Sequence, residues 1–199
     1  MSLFNLDTQN NDLDSKITAG LERLSQVFKV LLWEKAKEHQ LSPIQIQLLI
    51  FIANHSSDLS TISYMAQEFG LTKPTISDAI KTLEQKKLVT KRNDKQDTRS
   101  YRVVLTQKGK NLVADCSKYP DTLSEIVAGI DADDKQILWK VIVMFIEQMS
   151  NAGIIAVQRM CYNCNHYSQQ NGKPFCMLLN KQLYANDIRL DCPEFESLS

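Results

Sequence analysis

The chain has 199 residues, with 23 Lys+Arg against 23 Asp+Glu, 43% apolar residues and few Gly (6) or Pro (5). This is an ordinary globular composition, long enough for one domain or two small ones, and it excludes collagen-like, Pro-rich and many-turned all-β designs. No apolar run approaches a membrane span, and the N-terminal MSLFNLDTQNNDLDS lacks a basic segment followed by an apolar stretch; the expectation is a cytoplasmic protein with no membrane partner.

In chain order, residues 1–14 are polar and Asn/Asp-rich and read as a flexible N-terminus. Ile17, Leu21, Leu24, Phe28, Leu31 and Leu32 then recur at spacings of three and four, which predicts an amphipathic helix over about 15–38. Ser42-Pro43 is a helix-start signal for the largely apolar, hence buried, segment holding Ile44, Ile46, Leu48, Leu49 and Ile52. Ser60 opens a short helix through Ile62, Met65, Ala66 and Phe69, which Gly70 stops. Thr72 caps a helix over 73–87, with Pro74 in its first turn and Ile76, Ile80 and Leu83 on one face. The period then falls to two: 88–92 and 101–105 are β-prone runs around a polar, charged tip at 93–100, a hairpin. Thr106-Gln-Lys-Gly109 starts a further helix, broken at Tyr119-Pro120, and Asp131-Ala-Asp-Asp opens a last long one with an apolar stripe from Ile137 to Met149. Asn151-Ala-Gly153 marks a boundary.

Charge is segregated along this chain. Between residues 71 and 110 there are eleven Lys/Arg against four acids, a local balance of +7 that the remainder offsets. A polyanion would feel that segment, since fields are screened beyond about 8–10 Å at physiological salt. Short helices, a tight link at Gly70-Leu71-Thr72, a helix with a polar outer face and a basic hairpin describe a winged helix-turn-helix. Thr72, Lys73, Thr75, Ser77 and Asp78 lie on the exposed side of the 73–87 helix; Lys91, Arg92, Lys95 and Arg99 sit on the hairpin, suited to phosphates and a narrow minor groove.

The run LTKPTISDAIKTLEQKKLVTKRNDKQDTRSYRVVLTQKG resembles the core of the MarR family of bacterial transcription regulators, and the resemblance extends over roughly residues 13–150. It implies a mainly α fold with a small β-hairpin wing: a winged helix-turn-helix at about 42–106, dimerisation helices at about 15–38 and 107–150, and a separate extension at 151–199. It further implies that Thr72, Lys73, Thr75 and Ser77 face the major groove or its phosphates. Arg99 would enter the minor groove, with Asp97 bracing the wing. Two copies would read a pseudo-palindromic operator in double-stranded DNA, modulated by a small-molecule effector. Lys87 departs from the pattern, standing where the family usually has Gly at the helix end.

Four of the five cysteines fall in the last 39 residues, spaced C-x2-C-x11-C-x15-C: Cys161, Cys164, Cys176 and Cys192. In a reducing compartment such a terminus reads as a metal site, and His166 is a further candidate ligand. Structural zinc is the first choice and an iron–sulfur cluster the second, with free thiols or disulfides as the third reading. Cys116 reads as an inert small hydrophobe, Trp33 and Trp139 as packing residues, and His39 and His55, near helix ends, as solvated. No Gly-rich phosphate loop, hydrolytic His constellation or Ser/His/Asp arrangement appears, so the chain reads as a DNA-binding regulator and not an enzyme. The alternative is a metal- or iron–sulfur-dependent redox protein whose winged helix is an interaction module.

Overall fold

The computed structural model describes residues 5–93, 101–156 and 159–197. Helix α1 (Leu6–Asn11) comes first, capped by the Asn5 side chain on the Thr8 amide. Residues 6–11 are thus helical, where the polar composition predicts only a flexible start; Asn5 and Asp12 supply the caps that composition alone conceals. Asp12 then caps α2 (Leu13–Glu38), accepting from Ser15 N at 2.9 Å.

Helix α3 (Pro43–Asn54) starts with a full capping box. Ser42 accepts from the Gln45 amide, and Gln45 Oε1 accepts from Ser42 N. Its near-continuous apolar sequence is explained by burial: Ile46, Leu48 and Leu49 have no exposed surface. Helix α4 (Ile62–Glu68) is capped by Thr61 rather than by the expected Ser60. Ser60 is buried, and its carbonyl is taken by Val103 N at 2.9 Å, which ties this corner to the hairpin instead. Helix α5 (Lys73–Gln85) follows, capped by Thr72 and anchored by buried Ile76, Ala79, Ile80 and Leu83. Strands β1 (Val89–Asn93) and β2 (Tyr101–Leu105) pair antiparallel, with Val89 opposite Leu105 and Asn93 opposite Tyr101. Helices α6 (Gln107–Cys116), α7 (Asp121–Ala128) and α8 (Ala132–Asn151) complete the head.

The tail beyond α8 is a small three-stranded antiparallel sheet: β3 (Tyr167–Gln170), β4 (Lys173–Cys176) and β5 (Lys181–Gln182), in that order. Met160, Leu183 and Ile188 form a second core with Val143 of α8, and Trp139 Nε1 donates to the Ala185 carbonyl at 2.8 Å. Trp139 is a packing residue, as its place on the apolar stripe predicts. Trp33 differs, being 53% exposed.

The ends of α4 and α5 use one device. In each, the residue after the cap adopts a left-handed conformation and the next amide reaches back to the last turn: Gly70 (φ 60) with Leu71 N on Ala66 O, and Lys87 (φ 60) with Leu88 N on Leu83 O. Glycine takes that conformation freely, whereas a side chain there costs about 1–2 kcal/mol. The departure at Lys87 is therefore a strained site at the base of the wing. The Leu88 carbonyl accepts from Thr106 N at 3.0 Å, and any Cβ at Gly109 would land on that same oxygen.

Lys87→Gly is expected to stabilise the protein by about 0.5–1 kcal/mol, the strain relieved less the extra entropy of glycine in the unfolded chain. Gly109→Ala is expected to destabilise it by about 1–3 kcal/mol through overpacking. Urea unfolding midpoints check both; an unchanged Gly109→Ala midpoint contradicts the close approach.

Candidate nucleic-acid interface

Helix α5 has two unlike faces. The inward face is held in the main core, while Thr72, Lys73, Thr75, Asp78 and Lys81 are exposed and Ser77 is half-buried. Thr72 Oγ1 caps the helix by accepting from Thr75 N, and the two hydroxyls lie 2.8 Å apart, so both are already oriented at the helix start. The first-turn amides and Lys73 give this end positive potential. Lys81 pairs with Asp78 at 3.2 Å.

On the hairpin, Arg92 is exposed. The Lys91 ammonium pairs with Glu84 Oε2 at 2.8 Å and lies 5.1 Å from the centre of the Tyr101 ring. That pairing ties β1 to α5, and the hydrogen bond to Glu84 pushes the Lys91 ammonium above its ordinary pKa. Arg102 pairs with Asp58. Lys95, Asp97 and Arg99 lie outside the described residues.

Histidines 39 and 55 are not simply solvated. His39 Nε2 sits 2.8 Å from Asp115 Oδ2, and His55 stacks on Phe51 with its Nε2 2.6 Å from Asp191 Oδ2. Their neighbours come from distant segments, which is why spacing alone misplaces them. Among the described residues, Glu38, His39 and Asp115 bring three donor atoms within 4.8 Å of one another. The Lys35 ammonium already occupies that cluster, 2.7 Å from Asp115 and 2.9 Å from Glu38. Cys116, next in sequence, is fully buried, and burial pushes its thiol up to about 11, consistent with an inert residue.

One residue escaped the sequence reading altogether. Arg159, 8% exposed, joins the tail to the helix-turn-helix. Its Nε donates to Asp191 Oδ1 at 2.7 Å, and its Nη1 donates to Glu68 Oε2 at 2.7 Å and to the Tyr64 hydroxyl at 2.8 Å. Burial disfavours the charge, but the bonds to Asp191, Glu68 and Tyr64 more than offset it and hold the guanidinium above its ordinary pKa. Against the opposing effect of burial, Arg159 and His55 hold the Asp191 carboxyl below the usual carboxylate range. This bridge borders an open cavity of about 810 Å³ between α3, α4 and the tail. No signal short of the tertiary structure marks it; Arg159 precedes Met160-Cys161 as one basic residue among many.

The four tail cysteines do converge. Cys161 opens a 3-10 turn (Cys161–Asn163), Cys164 ends it, Cys176 closes β4 and Cys192 follows Asp191. All four line one small cavity of about 30 Å³, with His166 on the same wall. His166 Nε2 lies 3.4 Å from Glu196 Oε1, and the Cys192 thiol donates to Glu194 Oε2 at 3.3 Å.

Comparison with known proteins bears on the head. The sequence model of the MarR family matches residues 39–100. Residues 39–100 thus resemble the winged helix of that family. Among solved structures, a Staphylococcus aureus MepR–DNA complex aligns with a TM-score of 0.58 at 23% identity, over 66% of this chain and 96% of that one. A MarR transcriptional regulator from Methanosarcina mazei gives 0.58 at 22% identity, over 68% and 97%. A MarR protein from Peptoclostridium difficile gives 0.61 at 23% identity, over 71% and 92%. At these identities the structures establish the fold: a MarR-type arrangement of mainly α-helices with a β-hairpin wing. Among the described residues no helix is long and apolar enough to cross a membrane.

Arg159→Ala leaves Glu68 half-buried and without its cation. Breaking a buried pair costs about 3–5 kcal/mol, and the greater exposure of Asp191 lowers the expectation to about 2–3 kcal/mol. Arg159→Lys is not expected to restore stability, because a point charge cannot serve three partners at once. Chemical denaturation decides; full stability of either variant refutes the bridge.

Proposed function

We propose that the protein is a sequence-specific, double-stranded-DNA-binding transcription regulator of the MarR type, acting as a homodimer on a pseudo-palindromic operator. The observation that carries this reading is the divided surface of α5, buried on Ile76, Ile80 and Leu83 and presenting Thr72, Lys73 and Thr75 outward beside a basic hairpin. Such a helix, braced from behind by α4, is what the major groove admits. The S. aureus MepR structure with the same fold is a complex with DNA.

Exposed apolar surface supports two copies. Leu24 (52%), Phe28 (47%) and Trp33 (53%) on α2 and Ile137 (63%) on α8 are large apolar side chains that one chain leaves in water. Surface of this kind marks an interface, and an isologous dimer covers the same patch on both partners. A small-molecule effector would reach the helix-turn-helix through the open cavity beside Arg159, which touches both α4 and the tail.

Fluorescence anisotropy on duplexes from the region upstream of the protein's own gene tests the reading, with sedimentation to give the mass. Expected are a dimer and salt-dependent binding to one palindromic segment. Lys73→Ala and Arg92→Ala should each weaken binding and flatten the log–log salt slope by about 1, one phosphate contact each. A monomer at micromolar concentration, or binding indifferent to duplex sequence, overturns the proposal.

A further inference from the structure

We infer that Cys161, Cys164, Cys176 and Cys192 form the binding site of a four-iron, four-sulfide cluster. Four thiols from three segments facing one cavity form a complete set of soft ligands, suited to either a single zinc or a cubane cluster. The two differ in size. With zinc–sulfur bonds of about 2.3 Å, tetrahedral geometry puts every pair of thiolates roughly 3.8 Å apart. Yet among the described residues no three of these cysteines bring their sulfurs within 4.8 Å of one another. A cubane, in which each thiolate binds its own iron, holds its ligands further apart, and the cavity that the four cysteines line, about 30 Å³, leaves room between them.

The surroundings carry both signs: Asp187 and Glu194 line the same cavity, Arg189 pairs with Glu194 at 2.7 Å, and two donors reach the cysteine sulfurs. The backbone amide of Arg189 donates to Cys161 Sγ at 3.3 Å, and the Arg189 guanidinium donates to Cys192 Sγ at 3.5 Å. Amide and cationic donors to ligating sulfur stabilise the charge and tune the potential of such clusters. Leu178, Leu179, Leu183 and Tyr167 supply apolar wall. Binding is a ligand exchange with a preformed cluster: each thiol loses its proton and forms one iron–sulfur bond, the leaving thiolates of the donor take up the protons, and no oxidation state changes. His166, turned to Glu196, is left outside the ligand set.

The site is wired to the head. Cys192 N donates to the Arg159 carbonyl at 2.8 Å, and Asp191 beside it binds the Arg159 side chain, which in turn grips Glu68 of α4. Loading therefore bears on the element that braces α5. This last step rests on the DNA-binding reading; the cluster assignment does not.

The experiment is anaerobic transfer from a synthetic [4Fe–4S] cluster ligated by 2-mercaptoethanol to the full-length protein, with zinc alone in a parallel arm. Expected are four irons and four sulfides per chain, a broad visible charge-transfer band, and protection of the four tail thiols from alkylation in the intact-mass spectrum. Cys116→Ser should load as wild type, and Cys176→Ser should lose the band while keeping the helical circular dichroism. Uptake of one zinc per chain without cluster transfer, absence of both metals, or full loading of Cys176→Ser each overturns the assignment. Thiol protection in the wild-type protein keeps the test decisive should the variant misfold. Loaded and apo protein should differ about 5-fold or more in duplex affinity. Equal affinities remove the coupling alone, whereas absence of DNA binding by both forms counts against the functional reading and leaves the cluster standing.

Discussion

The fold turns on the burial of one face of α5. Ile76, Ile80 and Leu83 have no exposed surface, and removing three such side chains from water contributes on the order of 1.5–3 kcal/mol each. That burial fixes the rotation of the helix about its own axis. Once it is fixed, Thr72, Lys73 and Thr75 have nowhere to point but outward. The hairpin cannot drift either, because Lys91 is bound to Glu84 on the same helix and Leu88 is wedged beneath the start of α6. Positions of the outward-facing polar groups are thus set by apolar packing and one ion pair, not by the polar residues themselves.

Much of the head was legible from local rules. Ser42-Pro43, Thr72 and Thr106 each act as the helix starts they resemble, because a hydroxyl three residues ahead of an amide is a strictly local device. Lys87 was legible as an anomaly, and its left-handed backbone is the physical content of that anomaly. What local rules missed were partners brought together by folding. His39 and His55 look solvated in sequence and are paired in space with Asp115 and Asp191, 76 and 136 residues away. Lys91 likewise has a partner that its place in the chain does not announce, the Glu84 carboxylate on the neighbouring helix.

The tail shows the same division. The cysteine spacing announces a shared site, and the four thiols do face one cavity. The separations of the sulfurs depend on how β4 and the loop after Asp191 fold back, and spacing in the chain carries no such information. The segregation of charge has a parallel effect. A chain with no net charge can still present a cationic side, because its +7 segment is contiguous and most of its acids lie elsewhere.

The guanidinium of Arg159 has a bearing on how the molecule can be dissected. A chain cut after α8 would retain Glu68 and Tyr64 of the helix-turn-helix but lose the cation that both contact. The carboxylate of Glu68 would then either take up a proton or turn toward water, and α4 would loosen in doing so. A shortened head would accordingly be a different molecule at the helix that backs α5, and the extension is better regarded as a keystone than as an appendage.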